Sequence, residues 1–120
     1  MTLALACILI LTVYVVLNRR GQIPFEKARQ EVERGALVVD VRSVREYASG
    51  HIPGTLHVPL DQIQQVMPKQ AADKTRVILL HCASGMRSGM ARSLLKKMGY
   101  TRVFNLGSYR RAERVVTGGK

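Results

Sequence analysis

The sequence predicts an α/β protein, built on a parallel sheet with crossover helices and preceded by one transmembrane helix. Short β-branched runs such as residues 37–41 and 77–80 are nearly all apolar, which is typical of strands buried on both faces of a parallel sheet. Segments with helical spacing of apolar residues lie between these runs, and this alternation indicates crossover connections. The third observation is a long apolar run at the start of the chain.

That apolar run predicts a membrane anchor. Residues 3–17 contain no charged side chain, and all nineteen Lys and Arg residues lie at or after Arg19. A helix over the run would be about 25 Å long, at the short end of what crosses a bilayer. No basic segment precedes the run and no small-residue cleavage site follows it, which favours a retained anchor over a signal peptide. A buried core helix is the remaining alternative. Because Arg19 and Arg20 follow the span, the positive-inside rule predicts a single-pass membrane protein with a cytoplasmic C-terminal domain.

Length and charge divide the rest of the chain. We expect a transmembrane anchor over residues 1–18, a linker over 19–23 and one folded domain over 24–118, which is long enough for one modest core. The net charge is +11, and residues 87–120 carry nine basic side chains against one acidic. Such a surface attracts anions or acidic partners. With few aromatic residues and no zinc pattern, nucleic-acid binding is not expected, and a solvated basic face near a membrane is the plainest interpretation.

The helices are predicted from apolar spacing and from residues that start or end helices. Pro24 suits a first helical turn, and Gly35 and Gly99 suit positions after a helix end. Pro68 should disturb the end of the helix in which it lies. The predicted helices cover residues 24–34, 44–48, 60–70, 88–98 and 109–116.

The strands are predicted from short apolar runs between turn residues. The residues Gln22-Ile23 are predicted as a brief edge strand, and His51-Ile52-Pro53-Gly54 as a turn. The other predicted strands cover residues 37–41, 56–58, 77–80 and 102–105.

The segment 81–88, His-Cys-Ala-Ser-Gly-Met-Arg-Ser, carries the strongest chemical signal. Cys82 follows a buried strand, and ligands of parallel α/β sheets gather beyond the carboxyl ends of strands. The small residues after it form a tight loop at a helix start, where free N–H groups bind anions, and Gly85 can adopt a positive φ. Arg87 adds a permanent planar charge. This setting should favour a thiolate on Cys82 and lower its pKa. An inert cysteine that ends a core strand is the alternative.

Several separated motifs resemble the rhodanese homology domain in order and spacing, over about residues 22–118. They are Asp40-Val41-Arg42, Glu46-Tyr47, residues 50–55, the loop 82–88 and Asn105-Leu106-Gly107. The resemblance implies a five-stranded parallel sheet with helices on both faces. It also implies sulfurtransferase chemistry, in which Cys82 takes the outer sulfur of a donor such as thiosulfate and forms a persulfide. A thiophilic acceptor, such as cyanide, a small thiol or a protein, then removes that sulfur. The chain has Gly107-Ser108 where the family usually has a glycine pair, and it lacks the family's tryptophan.

The resemblance assigns roles to named residues. Cys82 is the predicted nucleophile, and Asp40 and Arg42 are a predicted supporting pair near the floor of the site. His51 and His81 are expected to be structural. A small anionic sulfur donor is expected to bind the loop residues Ala83, Ser84, Gly85, Met86, Arg87 and Ser88. No metal and no organic cofactor is expected, because no metal-ligand pattern is present.

Other functions compete with the sulfurtransferase. Four residues separate Cys82 from Arg87, whereas phosphatases of the related fold have five, so a phosphatase is disfavoured. A membrane-tethered persulfide relay between proteins is favoured by the basic C-terminal third, which would attract acidic partners. A non-catalytic binding module is disfavoured, because such a module has no chemical need for both Cys82 and Arg87.

Overall fold

Four parallel strands form the sheet of the computed structural model, which describes residues 2–18 and 21–118. Their order is β2-β1-β3-β4. The bounds are Leu37–Asp40 for β1, Leu56–His57 for β2, Ile78–His81 for β3 and Val103–Gly107 for β4. The two central strands are buried because both faces are covered by helices, as their apolar composition predicts. Their register pairs Asp40 with His81, so the carboxyl ends of β1 and β3 lie side by side.

The five-stranded sheet implied by the family resemblance is not found, since the described residues form four strands. Gln22 makes one isolated parallel bridge to Asn105 of β4, and the Ile23 N–H donates to the Asn105 carbonyl at 3.0 Å. Pro24 follows at once and has no N–H to donate, so the pairing cannot continue. The predicted edge strand is therefore reduced to a single bridge.

The helices lie close to the predicted positions. Ser43 and Glu46 form a reciprocal capping box at the start of α3, in which each side chain accepts the other's backbone N–H. A short 3₁₀ turn at residues 60–62 precedes α4, and Pro68 lies inside α4. The bounds are Leu3–Asn18 for α1, Phe25–Glu33 for α2, Val44–Ser49 for α3, Ile63–Gln70 for α4, Met86–Lys97 for α5 and Tyr109–Thr117 for α6.

Two apolar cores cover the two faces of the sheet. Alternate residues of a strand point to opposite faces, so Val38 and Leu79 join the core beneath α2 and α6. Their neighbours Val39 and Leu80 join the core beneath α4 and α5. The predicted arrangement of helices on both faces is confirmed.

The predicted transmembrane helix is not supported. Helix α1 has 16 residues, which gives about 24 Å against a hydrocarbon core of about 30 Å. Within residues 2–18 and 21–118, no helix combines the length and the apolar character needed to cross a bilayer. The large apolar side chains of α1 are exposed. Arg19 and Arg20, on which the predicted orientation depends, lie outside the described residues.

Candidate active site

The carboxyl ends of β1, β3 and β4 position the candidate site. Cys82 follows β3 directly, and its N–H donates to the carbonyl of Gly107 at 3.2 Å. The Val41 N–H donates to the carbonyl of His81 at 3.0 Å, which fixes the neighbouring strand end. Cys82 is therefore held by backbone bonds at the floor of the loop, and its residue surface is 0% exposed.

The loop after β3 closes around the sulfur of Cys82. The Gly85 N–H donates to Cys82 Sγ at 3.0 Å, and the Ser88 hydroxyl lies 3.5 Å from the same sulfur. Gly85 has φ 99°, in the left-handed region that favours glycine. Helix α5 begins at Met86, two residues before the predicted start. Its first turn and the loop thus direct N–H groups toward one sulfur atom.

These donors set the charge state of the thiol. Burial raises the pKa of Cys82, but hydrogen bonds from the Ser88 side chain and from the backbone of Ser88, Gly85 and Ser84 lower it more. The net pKa lies below that of an ordinary cysteine, because each of these donors favours the charged sulfur. The lowered pKa predicted from the sequence is confirmed.

Asn105 fastens the loop to β4, a role that the sequence analysis missed. Its amide nitrogen donates to the Gly85 carbonyl at 2.9 Å, and its side-chain oxygen accepts from the Ser88 hydroxyl at 2.8 Å and the Gly107 N–H at 2.9 Å. Asn105 is fully buried. The sequence could have indicated this role, because Asn105 is a polar residue in an otherwise apolar strand and a buried amide requires hydrogen-bond partners.

Arg87 is held by Glu46, a second residue whose role the sequence analysis missed. The two Arg87 terminal nitrogens donate to the two Glu46 carboxylate oxygens at 2.6 and 2.9 Å. The hydrogen bond to Arg87 lowers the pKa of Glu46 to about 2. The pKa of Arg87 is raised, first by Glu46 and to a smaller extent by the Cys82 sulfur. Both terminal nitrogens of Arg87 are thus occupied by the Glu46 carboxylate, which an anionic ligand of these nitrogens would have to displace.

The predicted supporting pair lies at the end of β1, where Asp40 pairs with His81, the residue before Cys82. The backbone N–H, Nε and Nη2 of Arg42 donate to the carboxylate of Asp40 at 2.8–3.0 Å, and Nη2 also donates to the Gly50 carbonyl. Asp40 has no exposed surface. Burial raises the pKa of Asp40, but the bonds from Arg42 lower it more, so the carboxylate stays charged.

His81 is buried and His51 is exposed. His81 is buried, with Nδ1 3.2 Å from the Cys82 carbonyl oxygen and Nε2 3.6 Å from Asp40 Oδ2. Burial lowers the pKa of His81, which favours the neutral ring. His51 is exposed and stacks on the Tyr47 ring at 3.8 Å.

The remaining loop residues lie around the thiol. The Ala83 carbonyl accepts from the Tyr109 N–H at 3.2 Å, and Ser84 makes a single bridge to Ser108. Met86 is 38% exposed at the start of α5. Among the described residues, no three His, Cys, Asp or Glu side chains are grouped so that they could hold a metal ion.

Residues 25–111 match the family model described as "Rhodanese-like domain". The chain belongs to the rhodanese-like family. It is 33% identical over 69 residues to thiosulfate sulfurtransferase PspE of Escherichia coli K12, covering 58% of this chain and 66% of PspE. It is 36% identical over 85 residues to thiosulfate sulfurtransferase GlpE of Pseudomonas fluorescens, covering 71% of this chain and 76% of GlpE.

Solved structures and a further relative agree on the family. Human single-domain sulfurtransferase TSTD1 superposes with a TM-score of 0.67 at 25% identity, over 77% of this chain and 94% of TSTD1. The putative sulfur carrier protein YrkF of Bacillus subtilis is 33% identical over 71% of this chain. The chain spans 46% of YrkF and 66% of PspE, less than two thirds of either relative. Together these similarities support membership of the rhodanese-like family.

Proposed function

We propose that this rhodanese-like chain moves sulfane sulfur from a donor such as thiosulfate to a thiophilic acceptor through a persulfide on Cys82. The observation that carries the proposal is the placement of Cys82 Sγ 3.0 Å from the Gly85 N–H, in a loop that also contains Arg87. A sulfur that accepts N–H bonds beside a guanidinium is stabilised as a thiolate, which is the nucleophilic form.

The first half of the reaction loads the enzyme. The Cys82 thiolate attacks the outer sulfur of thiosulfate, the bond between the two donor sulfurs breaks, and sulfite leaves with the electron pair. The product is a persulfide whose terminal sulfur carries the charge. Arg87 would bind the donor's oxygens after exchanging Glu46 for them. The N–H of Gly85 and the hydroxyl of Ser88 would stabilise the charged sulfur.

The second half discharges the enzyme. Cyanide attacks the terminal sulfur, the bond to Cys82 Sγ breaks, and thiocyanate leaves while the thiolate is restored. A thiol acceptor would leave as a hydropersulfide by the same displacement. Ala83 and Ser84 are small, which would limit their obstruction of an acceptor, and Met86 is 38% exposed at the start of α5.

The test is the intact mass of the full chain after brief incubation with thiosulfate, beside the Cys82→Ser variant. We expect the parent to gain one sulfur atom and to lose it on adding cyanide, while the variant gains nothing. A parent that gains no sulfur, or a variant that gains one, would overturn the proposed nucleophile.

A protein-to-protein persulfide relay is the second candidate, favoured by the basic residues of α6. Arg110 is an exposed member of that surface, whereas Arg111 donates to the carbonyls of Leu106 and Ile23 and supports the fold. Arg110→Gln should slow transfer to an acidic protein acceptor and leave thiosulfate turnover unchanged. Equal effects on both reactions would exclude a relay through this surface.

Membrane location, with a cytoplasmic domain over residues 24–118, stays a prediction. The uncharged, exposed side chains of α1 favour attachment to a lipid surface through residues 1–18. Cell fractionation should find the full chain with membranes and a version starting at Gly21 in the supernatant. If both versions stay in the supernatant, the predicted attachment fails.

A further inference from the structure

A cavity of about 460 Å³ opens beside the candidate active site, and Arg87 is the one lining residue that the proposed loading step uses. Its walls combine apolar side chains, among them Leu60 and Leu94, with the polar groups of Ser43, Asp61 and Arg87. Small-molecule sites have this construction, with apolar walls and a few polar groups, and volumes of about 300–1,000 Å³. The cavity adjoins the loop that contains the thiol, because Arg87 of that loop is one of its lining residues.

The charges around the cavity favour a cation. The positive charge of Arg87 is offset by Glu46, which accepts from both of its terminal nitrogens. Asp61 forms no salt bridge with any residue in the described ranges 2–18 and 21–118. Arg87 and Asp61 are the charged residues that line the cavity, and with Arg87 offset by Glu46 the negative charge of Asp61 remains, although the whole chain carries +11. A ligand with an ammonium group would therefore be attracted and a carboxylate repelled.

We infer that this cavity receives the sulfur acceptor and that Asp61 makes it favour an aminothiol. The inference rests on the proposed function and adds a class of acceptor to it. The ammonium group lies near Asp61 while the acceptor's thiolate attacks the terminal sulfur of the Cys82 persulfide. The bond between that sulfur and Sγ breaks, Cys82 leaves as the thiolate, and the acceptor departs as an amino hydropersulfide. Donor and acceptor are thus distinguished by charge, since the donor is an anion bound by the loop.

The experiment follows discharge alone. The full chain is loaded with thiosulfate, freed of excess donor and mixed at low ionic strength with one of three small thiols. These are cysteamine, which is cationic, 2-mercaptoethanol, which is neutral, and 3-mercaptopropionate, which is anionic. Loss of the extra sulfur from the intact mass gives the discharge rate for each thiol.

The test variant is Asp61→Asn, with Glu113→Gln as the matched control. Glu113 is an exposed acid on α6 that does not line the cavity, so the control makes the same change in net charge elsewhere. In Asp61→Asn we expect the cysteamine rate to fall and the mercaptopropionate rate to rise, each by roughly twofold to fivefold for an exposed charge. The mercaptoethanol rate should stay within about twofold. Glu113→Gln should match the parent with all three thiols.

A second variant keeps the inference testable if Asp61→Asn does not fold. Gln64 also lines the cavity and is exposed, so Gln64→Lys should lower the ratio of the cysteamine rate to the mercaptopropionate rate in the same direction. A loaded parent whose ratio is unchanged by both cavity variants, or is lowered equally by Glu113→Gln, would overturn the inference alone. A parent that never loads would overturn the proposed function and the inference together.

Discussion

Two arginine–carboxylate pairs serve the two levels of the site, and they differ chiefly in their access to water. At the floor, Arg42 and Asp40 are two residues apart in sequence, with side chains 9% and 0% exposed. At the mouth, Arg87 and Glu46 come from α5 and α3, and each side chain is 35% exposed. The same functional groups therefore form one buried pair and one partly solvent-exposed pair.

Desolvation explains why the pairs have different uses. The buried Asp40 carboxylate accepts three N–H groups of Arg42, so losing either partner leaves a buried charge. The Glu46 carboxylate can be hydrated when Arg87 leaves it, so separation costs little. A buried pair supports structure, whereas an exposed pair can exchange one partner for an anionic donor.

The largest expected effect comes from breaking the pair at the floor. Asp40→Asn should lower the free energy of unfolding by about 3–5 kcal/mol, because it leaves Arg42 buried without a counter-charge. Urea unfolding at neutral pH measures the loss, and Glu46→Gln is the isosteric control, with a loss of less than about 1 kcal/mol. Equal losses would contradict the comparison.

The pH dependence sharpens this prediction. Since the net pKa of Asp40 is lowered on folding, its stabilisation is present above the ordinary carboxyl range. It is lost as the pH falls through the lowered value. The difference in stability between parent and Asp40→Asn should therefore shrink on acidification.

Removing the arginine at the mouth should affect activity and spare the fold. Arg87→Ala should lower kcat/KM for thiosulfate by about 100-fold or more, since it removes a preorganised charge from the donor site. Its unfolding free energy should change by less than about 1 kcal/mol. Thiocyanate formation and urea unfolding give the two values. A loss of stability as large as that of Asp40→Asn would refute the division of roles.

Glu46→Gln should have a smaller effect of opposite sign. Because Glu46 competes with the donor for Arg87, its neutralisation should lower the KM for thiosulfate by roughly twofold to fivefold. The pKa of Glu46 falls from 4.5 to about 2 on folding. The contribution of the Arg87–Glu46 pair to stability is therefore present above pH 4.5 and is lost as the pH falls toward 2. The difference in KM between parent and variant should thus be constant from about pH 5 to pH 8. A raised KM would show that Glu46 positions Arg87 rather than competing for it.

The smallest effect concerns the thiol itself. Ser88→Ala removes a hydroxyl that lies 3.5 Å from Cys82 Sγ and donates to Asn105 Oδ1, so the pKa of Cys82 should rise toward that of an ordinary cysteine. The pH dependence of the thiolate's ultraviolet absorbance measures the midpoint, with the Cys82→Ser spectrum subtracted to remove the exposed Cys7. Ser93→Ala is the control, because Ser93 lies on the same helix but donates to the Gly89 carbonyl. A midpoint that moves equally in both variants would show that Ser88 has no specific effect on the pKa of Cys82.

Local patterns predicted most of the fold. The apolar runs of β1 and β3 and the helical spacing of α2, α5 and α6 depend on neighbours in sequence, and these elements lie within a few residues of the predictions. The strand count was wrong because Pro24 limits a pairing that the resemblance implied in full. The transmembrane helix was not supported, since composition gave the apolar character but no helix of the described residues combines it with the length to cross a bilayer.

The site was predictable only where its parts are contiguous. The loop 82–88 is one segment, so its order and spacing were informative. Glu46 is separated from Arg87 by 41 residues, and Asn105 from Gly85 by 20. Pairings at such distances depend on strand order and register, which no local pattern specifies.

The complete burial of Cys82 has a consequence for survival under oxidative stress. Irreversible oxidation adds successive oxygen atoms to a sulfur, and each addition needs access and space. A thiolate with 0% exposure that also accepts the Gly85 N–H offers little of either. Peroxide should therefore convert Cys82 to its sulfinic and sulfonic acids much more slowly in the folded chain than in urea. A site built to hold one extra sulfur atom would thus also resist a second and third oxygen.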